Sequence, residues 1–133
     1  MKSLLLPLLF VSFVFGFETD KWLHNYDKAL ELAQKEQKNI YLFIGADKCH
    51  FCKMFKEKTL SKAKVIQRLR QDYILIYLSR DRHFIPNKFQ KFGVPRHYFL
   101  NKDGEILFEN FGVLEPKGFF ILLDEADLTQ IMQ

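Results

Sequence analysis

Cysteine is scarce in this chain. Only two of the 133 residues are Cys, which excludes a scaffold stapled by several disulfides. The four histidines do not stand at zinc-finger spacing from that pair, so a structural zinc is not expected. Covalent haem attachment would need His directly after the second cysteine, and Lys53 is there. Glycine and proline number only six and four, too few for a fibrous or low-complexity chain. Charge of one sign is also lacking. The net charge of +4 is small and dispersed, so no nucleic-acid partner is expected. The longest uncharged run at the N-terminus, Ser3 to Phe17, falls short of the ~20 residues that span a bilayer.

Apolar residues are plentiful, at 48% of the chain, and Phe alone accounts for 15. The length suits one domain with a real core. Residues 1–16 read as a secretory signal: Lys2 is the charged start, Leu4 to Phe15 the apolar centre, and cleavage is expected before Phe17. A retained anchor is the rival reading. No cysteine lies near that point, so lipoprotein attachment is excluded. Residues 17–133 then form the domain, with 19 basic against 16 acidic groups once Lys2 is removed. Lys53, Lys56, Lys58, Lys62 and Lys64 make a local basic run, read as a solvated helix face.

Both cysteines fall in one motif, Cys49-His50-Phe51-Cys52. It follows the apolar run Ile40 to Ile44, read as a buried strand, and opens a segment read as a helix. A pair three residues apart closes almost no loop and contributes little chain-entropy stabilisation. Chemistry explains it better. Cys49 would sit at a helix N-terminus, where unpaired N–H groups and the helix dipole favour its thiolate, the nucleophilic form. Cys52 would be the resolving thiol.

The rest of the chain alternates. A first helix is predicted from an N-cap at Thr19, carrying Leu23, Tyr26, Leu30 and Ala33 on its apolar face and ending near Gln37 to Asn39. The dithiol helix runs from His50 to about Leu60, and Ser61 reads as the N-cap of a continuation to Gln71. Tyr73 to Leu78 is a second strand and Ser79 to Asn87 a loop. Asn87 to Phe92 is a short helix, broken by Gly93-Val94-Pro95. His97 to Leu100 and Glu105 to Asn110 are strands joined by a turn at Asn101 to Gly104, and Pro116 opens a last helix that frays from Asp127. Strands linked through helices are predicted to be parallel and the last two antiparallel. The fold class is α/β: a central mixed sheet of about four strands, with helices on both faces.

Three landmarks in this order resemble the thioredoxin superfamily: a strand followed by Cys49-x-x-Cys52, then Gly93-Val94-Pro95 before a strand, then the hairpin at Asn101-Lys102-Asp103-Gly104. The run Cys52-Lys53-x-Phe55-x-x-x-Thr59, with Ser61 and Val65, is similar to small exported members such as the C-terminal periplasmic domain of the thiol:disulfide interchange protein DsbD. The resemblance covers about residues 20 to 125. It implies a thioredoxin-like fold, a cis Pro95 beside the dithiol, and a substrate groove walled by Val94 and Pro95.

Four positions depart from the family pattern. Phe43 stands where a buried acid relays a proton to the second cysteine, so an efficient relay is not implied. Lys48 replaces a Trp, His50 and Phe51 fill the motif, and Arg96 follows Pro95. Lys48 and His50 are expected to bring positive charge near Cys49 and favour its thiolate; for His50, plain exposure is the rival reading, and for Arg96 the same tuning role stands second to a side chain that points away. The expected reduction potential is intermediate, roughly −150 to −240 mV. Phe51, Phe92 and Tyr98 are read as core packing, with an apolar substrate platform as the rival.

The expected protein is an exported thiol:disulfide oxidoreductase of the bacterial periplasm, with the extracellular space or a secretory-pathway lumen as the rival locations, reducing or isomerising protein disulfides without a cofactor or metal. Its partners would be protein disulfides or dithiols and a membrane electron-transfer protein of the DsbD type, and a monomer is favoured. The alternative is a client-binding module or chaperone that uses the groove beside Pro95, the dithiol being incidental.

Overall fold

A computed structural model describes residues 22–133. The signal reading of residues 1–16, the cleavage point, Thr19 and Asp20 lie outside the described residues. The element order is α1 (Tyr26–Glu36), β1 (Asn39–Gly45), α2 (His50–Phe55), a π-helical turn (Lys56–Leu60), α3 (Ala63–Asp72), β2 (Tyr73–Ser79), a 3₁₀ turn (Asn87–Phe89), β3 (Arg96–Leu100), β4 (Ile106–Phe111) and α4 (Pro116–Ile131).

Side chains alternate across a strand, and β1 uses both faces. Tyr41 and Phe43 enter one core with Cys52 and Phe55 of α2, Val65 and Leu69 of α3, and Phe119, Leu122 and Leu123 of α4. Ile40, Leu42 and Ile44 enter the other with Ala29 and Ala33 of α1 and Phe89 of the 3₁₀ turn. Burial on both faces is why β1 and β2 read as unbroken apolar runs. Each fully buried Phe or Leu contributes about 1.5–3 kcal/mol of transfer free energy.

The sheet order is β2-β1-β3-β4. β1 and β2 are parallel, with Phe43 opposite Tyr77. β3 is antiparallel to β1, with Phe43 opposite His97 and Ile44 opposite Arg96. That corrects the expectation that a helical link makes β2 and β3 parallel. The helix in that link is one 3₁₀ turn, too short to carry the chain back along the sheet. The link therefore stays at the end where β2 finishes. β4 is antiparallel to β3, as expected.

Other boundaries differ for local reasons. α1 starts at Tyr26, where the Asn25 side chain accepts from Lys28 N–H at 3.0 Å. Leu23, read as part of that helix, is extended against β2: its N–H donates to Leu75 and its carbonyl accepts from Tyr77, both at 2.9 Å. Ser61 does not cap α3. It ends the π turn and donates to the Glu57 carbonyl, while Lys62 takes the cap position without a side-chain bond. Only Asn87–Phe89 of the expected short helix forms, which leaves Phe92 outside it. α4 continues to Ile131, past the expected fraying point. No helix among the described residues is long and apolar enough to cross a membrane.

Candidate functional site

The site begins where β1 ends. An added Cβ at Gly45 would stand 3.1 Å from the Tyr77 ring and hydroxyl and 3.4 Å from Cys52 Sγ. A bare backbone is what lets the strand pass between those two side chains. The following turn is anchored to the loop after β2. Asp47 N–H donates to Asp81 Oδ2 at 2.7 Å, and Ser79 Oγ and Arg82 Nε donate to Asp47 Oδ1 at 2.8 and 2.7 Å. The bonds from Arg82 and Ser79 hold the Asp47 carboxyl below its ordinary range.

That turn delivers Cys49 to the N-cap of α2 in an extended conformation, φ −125° and ψ 103°. Its sulfur accepts from Cys52 N–H at 3.1 Å. A capping sulfur that already receives a helix N–H is placed where a thiolate is favoured. Cys49 and Cys52 are joined as a disulfide, with Cα atoms 5.2 Å apart. Cys49 is partly exposed and Cys52 is buried. An incoming sulfur can reach the first and not the second.

Behind Cys52 the packing is aromatic. Phe55 meets Phe43 at 5.3 Å and His97 at 4.7 Å between ring centres, both edge-on. His97 Nε2 donates to the Gly112 carbonyl at 2.8 Å, so its Nδ1 is the acceptor facing the Tyr41 hydroxyl at 2.7 Å. Burial pushes the His97 imidazole down to about 4, against a smaller upward pull from Gly112. The position expected to hold a relay acid is filled by Phe43, which stacks on His97 at 5.7 Å.

A cleft of about 310 Å³ opens beside this core, lined by Trp22, His24, Phe43, Lys56, Leu60 and Tyr77 among others. Lys56 Nζ sits 3.8 Å above the Tyr77 ring, a cation–π contact. Gly45, Tyr77 and His97 were not singled out as site residues from the sequence, and Lys56 was read only as part of the solvated basic run. The usable signals were the place of Lys56 four residues after Cys52, hence on its helix face, and an imidazole inside an otherwise apolar strand. All five lysines of the basic run, Lys56 included, are exposed as expected, with Lys53 paired to Glu57 at 3.8 Å.

The remaining candidates divide. Lys48, His50 and Phe51 are exposed around the motif. The Val94–Pro95 peptide bond is cis. Val94 packs at the rim of the same core as Cys49, and Pro95 is buried, its carbonyl accepting from Gly112 N–H at 2.9 Å. Arg96 points elsewhere. It shares a strand face with Tyr98, which lies in the α1-side core, whereas Cys52 lies in the other. Its charge is thus set on the opposite side of the sheet from the dithiol. Tyr98 is core, as read. Phe51 and Phe92 are not: both are exposed, as are Phe84 and Phe111, Phe51 on the first turn of α2 and the others on loops or at a strand end. Among the described residues no cluster of three or more His, Cys, Asp and Glu side chains is arranged to hold a metal ion.

The comparisons with known proteins fit this geometry. A family model described as thioredoxin-like matches residues 21–102. An uncharacterized protein of Archaeoglobus fulgidus is 28% identical over 81 residues, which cover 61% of this chain and 64% of that protein. The match therefore spans less than two thirds of the relative's length. Among solved structures, a thioredoxin from Thermus thermophilus superposes with a TM-score of 0.66 at 22% identity, covering 77% of this chain and 84% of that one. The oxidised C-terminal domain of DsbD from Neisseria meningitidis gives 0.62 at 20% identity, covering 75% and 91%. At those identities the likeness establishes the fold.

Proposed function

The chain belongs to the thioredoxin-like family, and from that premise we propose that it is a thiol:disulfide oxidoreductase working through Cys49 and Cys52, reducing or isomerising disulfides in other proteins. The observation that carries the reading is the asymmetry of the bonded pair: a reachable sulfur at a helix cap, and a buried one within bonding distance.

In the reducing direction the Cys49 thiolate attacks one sulfur of a substrate disulfide. A mixed disulfide forms, and the substrate's other sulfur leaves as a thiolate and takes a proton from solvent. Cys52 loses its proton and attacks Cys49 Sγ. The Cys49–substrate bond breaks, the second substrate thiolate leaves, and the protein is left oxidised, as in the structure. Two electrons have passed from protein to substrate, with no organic cofactor. Lys48, exposed beside the motif, favours the Cys49 thiolate through its positive charge, and His50 is exposed in the motif itself. Val94 and Pro95 wall the groove where the client chain lies. A membrane electron-transfer partner of the DsbD type would restore the dithiol. Lys2 and the apolar run after it support export to the periplasm.

The test is dithiothreitol-dependent insulin reduction. The wild-type chain accelerates it, Cys49→Ser abolishes the acceleration, and Cys52→Ala stalls as a mixed disulfide. A wild type with no redox turnover that suppresses client aggregation favours the client-binding reading, to which the exposed Phe51, Phe84 and Phe92 are suited.

A further inference from the structure

Arg96 opens β3 directly after Pro95 and is only 7% exposed. A buried cation is normally neutralised by a carboxylate, because an unpaired charge out of water loses its hydration without compensation. Among the described residues none of the ion pairs includes Arg96. One guanidinium nitrogen, Nη1, donates to the Tyr98 hydroxyl at 3.1 Å. Nε is buried and has no partner. The acid lining the same pocket, Glu109, is held by Lys91 at 2.9 and 3.1 Å.

That pocket has a volume of about 440 Å³ and is lined by Arg96, Tyr98, Lys91, Glu109 and the exposed rings of Phe92 and Phe111. It lies on the side of the sheet away from the dithiol, at the strand that starts beside the cis Val94–Pro95 bond. Two cations and one carboxylate line it, so one positive charge is left over. A planar guanidinium with free N–H groups matches a carboxylate, and the two rings beside it match an apolar neighbour. We propose that this pocket is a subsite for an acidic side chain of the client, an Asp or Glu with an apolar residue next to it, held on the far side of the sheet from the disulfide. The inference rests on the oxidoreductase reading for its client, but its ligand is recognised by charge and not by sulfur chemistry.

The two are separable by experiment. The probe is a cysteine-free peptide carrying Glu-Phe, compared with the same peptide carrying Gln-Phe, followed at low salt by the Arg96 Nε–H resonance of the wild-type chain. The Glu peptide is expected to shift that resonance and to bind at least tenfold more tightly than the Gln peptide. Arg96→Gln is expected to remove the difference, and Arg96→Lys, which keeps the charge but not the fork, to retain part of it. Equal binding of the two peptides by the wild type overturns the proposal. So does a shift produced by free acetate with the same affinity as the Glu peptide, which would make the site one for small carboxylates. Reduction of hydroxyethyl disulfide, measured alongside, reports on the dithiol alone. Its loss counts against the oxidoreductase reading and leaves the peptide result to stand or fall by itself.

Discussion

His97 is a histidine held neutral among aromatic rings, and its consequence is a pH dependence of stability. In the folded chain burial lowers it to about 4, whereas the unfolded chain titrates it near 6.5. Between those values the unfolded state binds more protons, so acid favours unfolding. The stabilising contribution is complete above pH 6.5, declines as the pH falls through the interval and is lost near 4. Its size is at most about 3 kcal/mol. His83 acts in the same direction, pushed down by burial first and then by the stacked His24, 5.1 Å away. Urea unfolding at pH 7, 5.5 and 4 checks this. The midpoint should fall through that range, and His97→Leu should flatten the fall while losing about 1–3 kcal/mol at pH 7, because the Tyr41 hydroxyl and Gly112 carbonyl are left without their partner. An unchanged slope in the variant would assign the acid sensitivity to other groups.

At the scale of elements, the hairpin between β3 and β4 is the sharpest case of a residue choice that the backbone demands. Gly104 has φ +84°, and a Cβ there would run into the Tyr26 hydroxyl and within 3.0 Å of Leu30. The turn is built by Asn101, whose side-chain oxygen accepts from the N–H groups of Asp103 and Glu105 at 3.0 and 2.9 Å. Gly104→Ala meets both obstacles and should cost more than about 1 kcal/mol, lowering Tm by roughly 4 °C or more; a melt unchanged from wild type would contradict the packing of α1 against this turn. The hairpin was legible in the sequence because its signal is four consecutive residues. Strands β1 and β2 were legible because apolar runs of that length bounded by polar residues have few other uses. The direction of β3 was not. It depends on whether Asn87 to Phe92 forms a helix long enough to cross the sheet, and propensity does not decide between one turn and two. The start of α1 was misplaced for a related reason: Leu23 fits a helical spacing equally well, and only its bonds to Leu75 and Tyr77 reveal the extended alternative.

At the scale of the molecule, the sheet separates two chemistries. The α2 side holds the dithiol and its aromatic floor, and the α1 side holds Arg96. The dithiol could be read from sequence because the strand, the turn and the helix cap that present it are contiguous. The place of Arg96 could not, because it depends on strand parity, which is fixed only when both cores are known. The same applies to Tyr77, a β2 residue whose ring and hydroxyl stand 3.1 Å from where a Gly45 Cβ would lie, a neighbour made by the β1–β2 pairing and not by the chain. The central claim joins these scales: the fold sets Cys49 at a helix cap so that its sulfur ionises easily. The direct measurement is thiolate absorbance at 240 nm against pH, on the reduced chain carrying Cys52→Ala so that one sulfur reports. Cys49 should ionise within the range of roughly 3.5–7.5 typical of activated thiols. Ionisation near 8.5, the value of a free cysteine, would contradict the account.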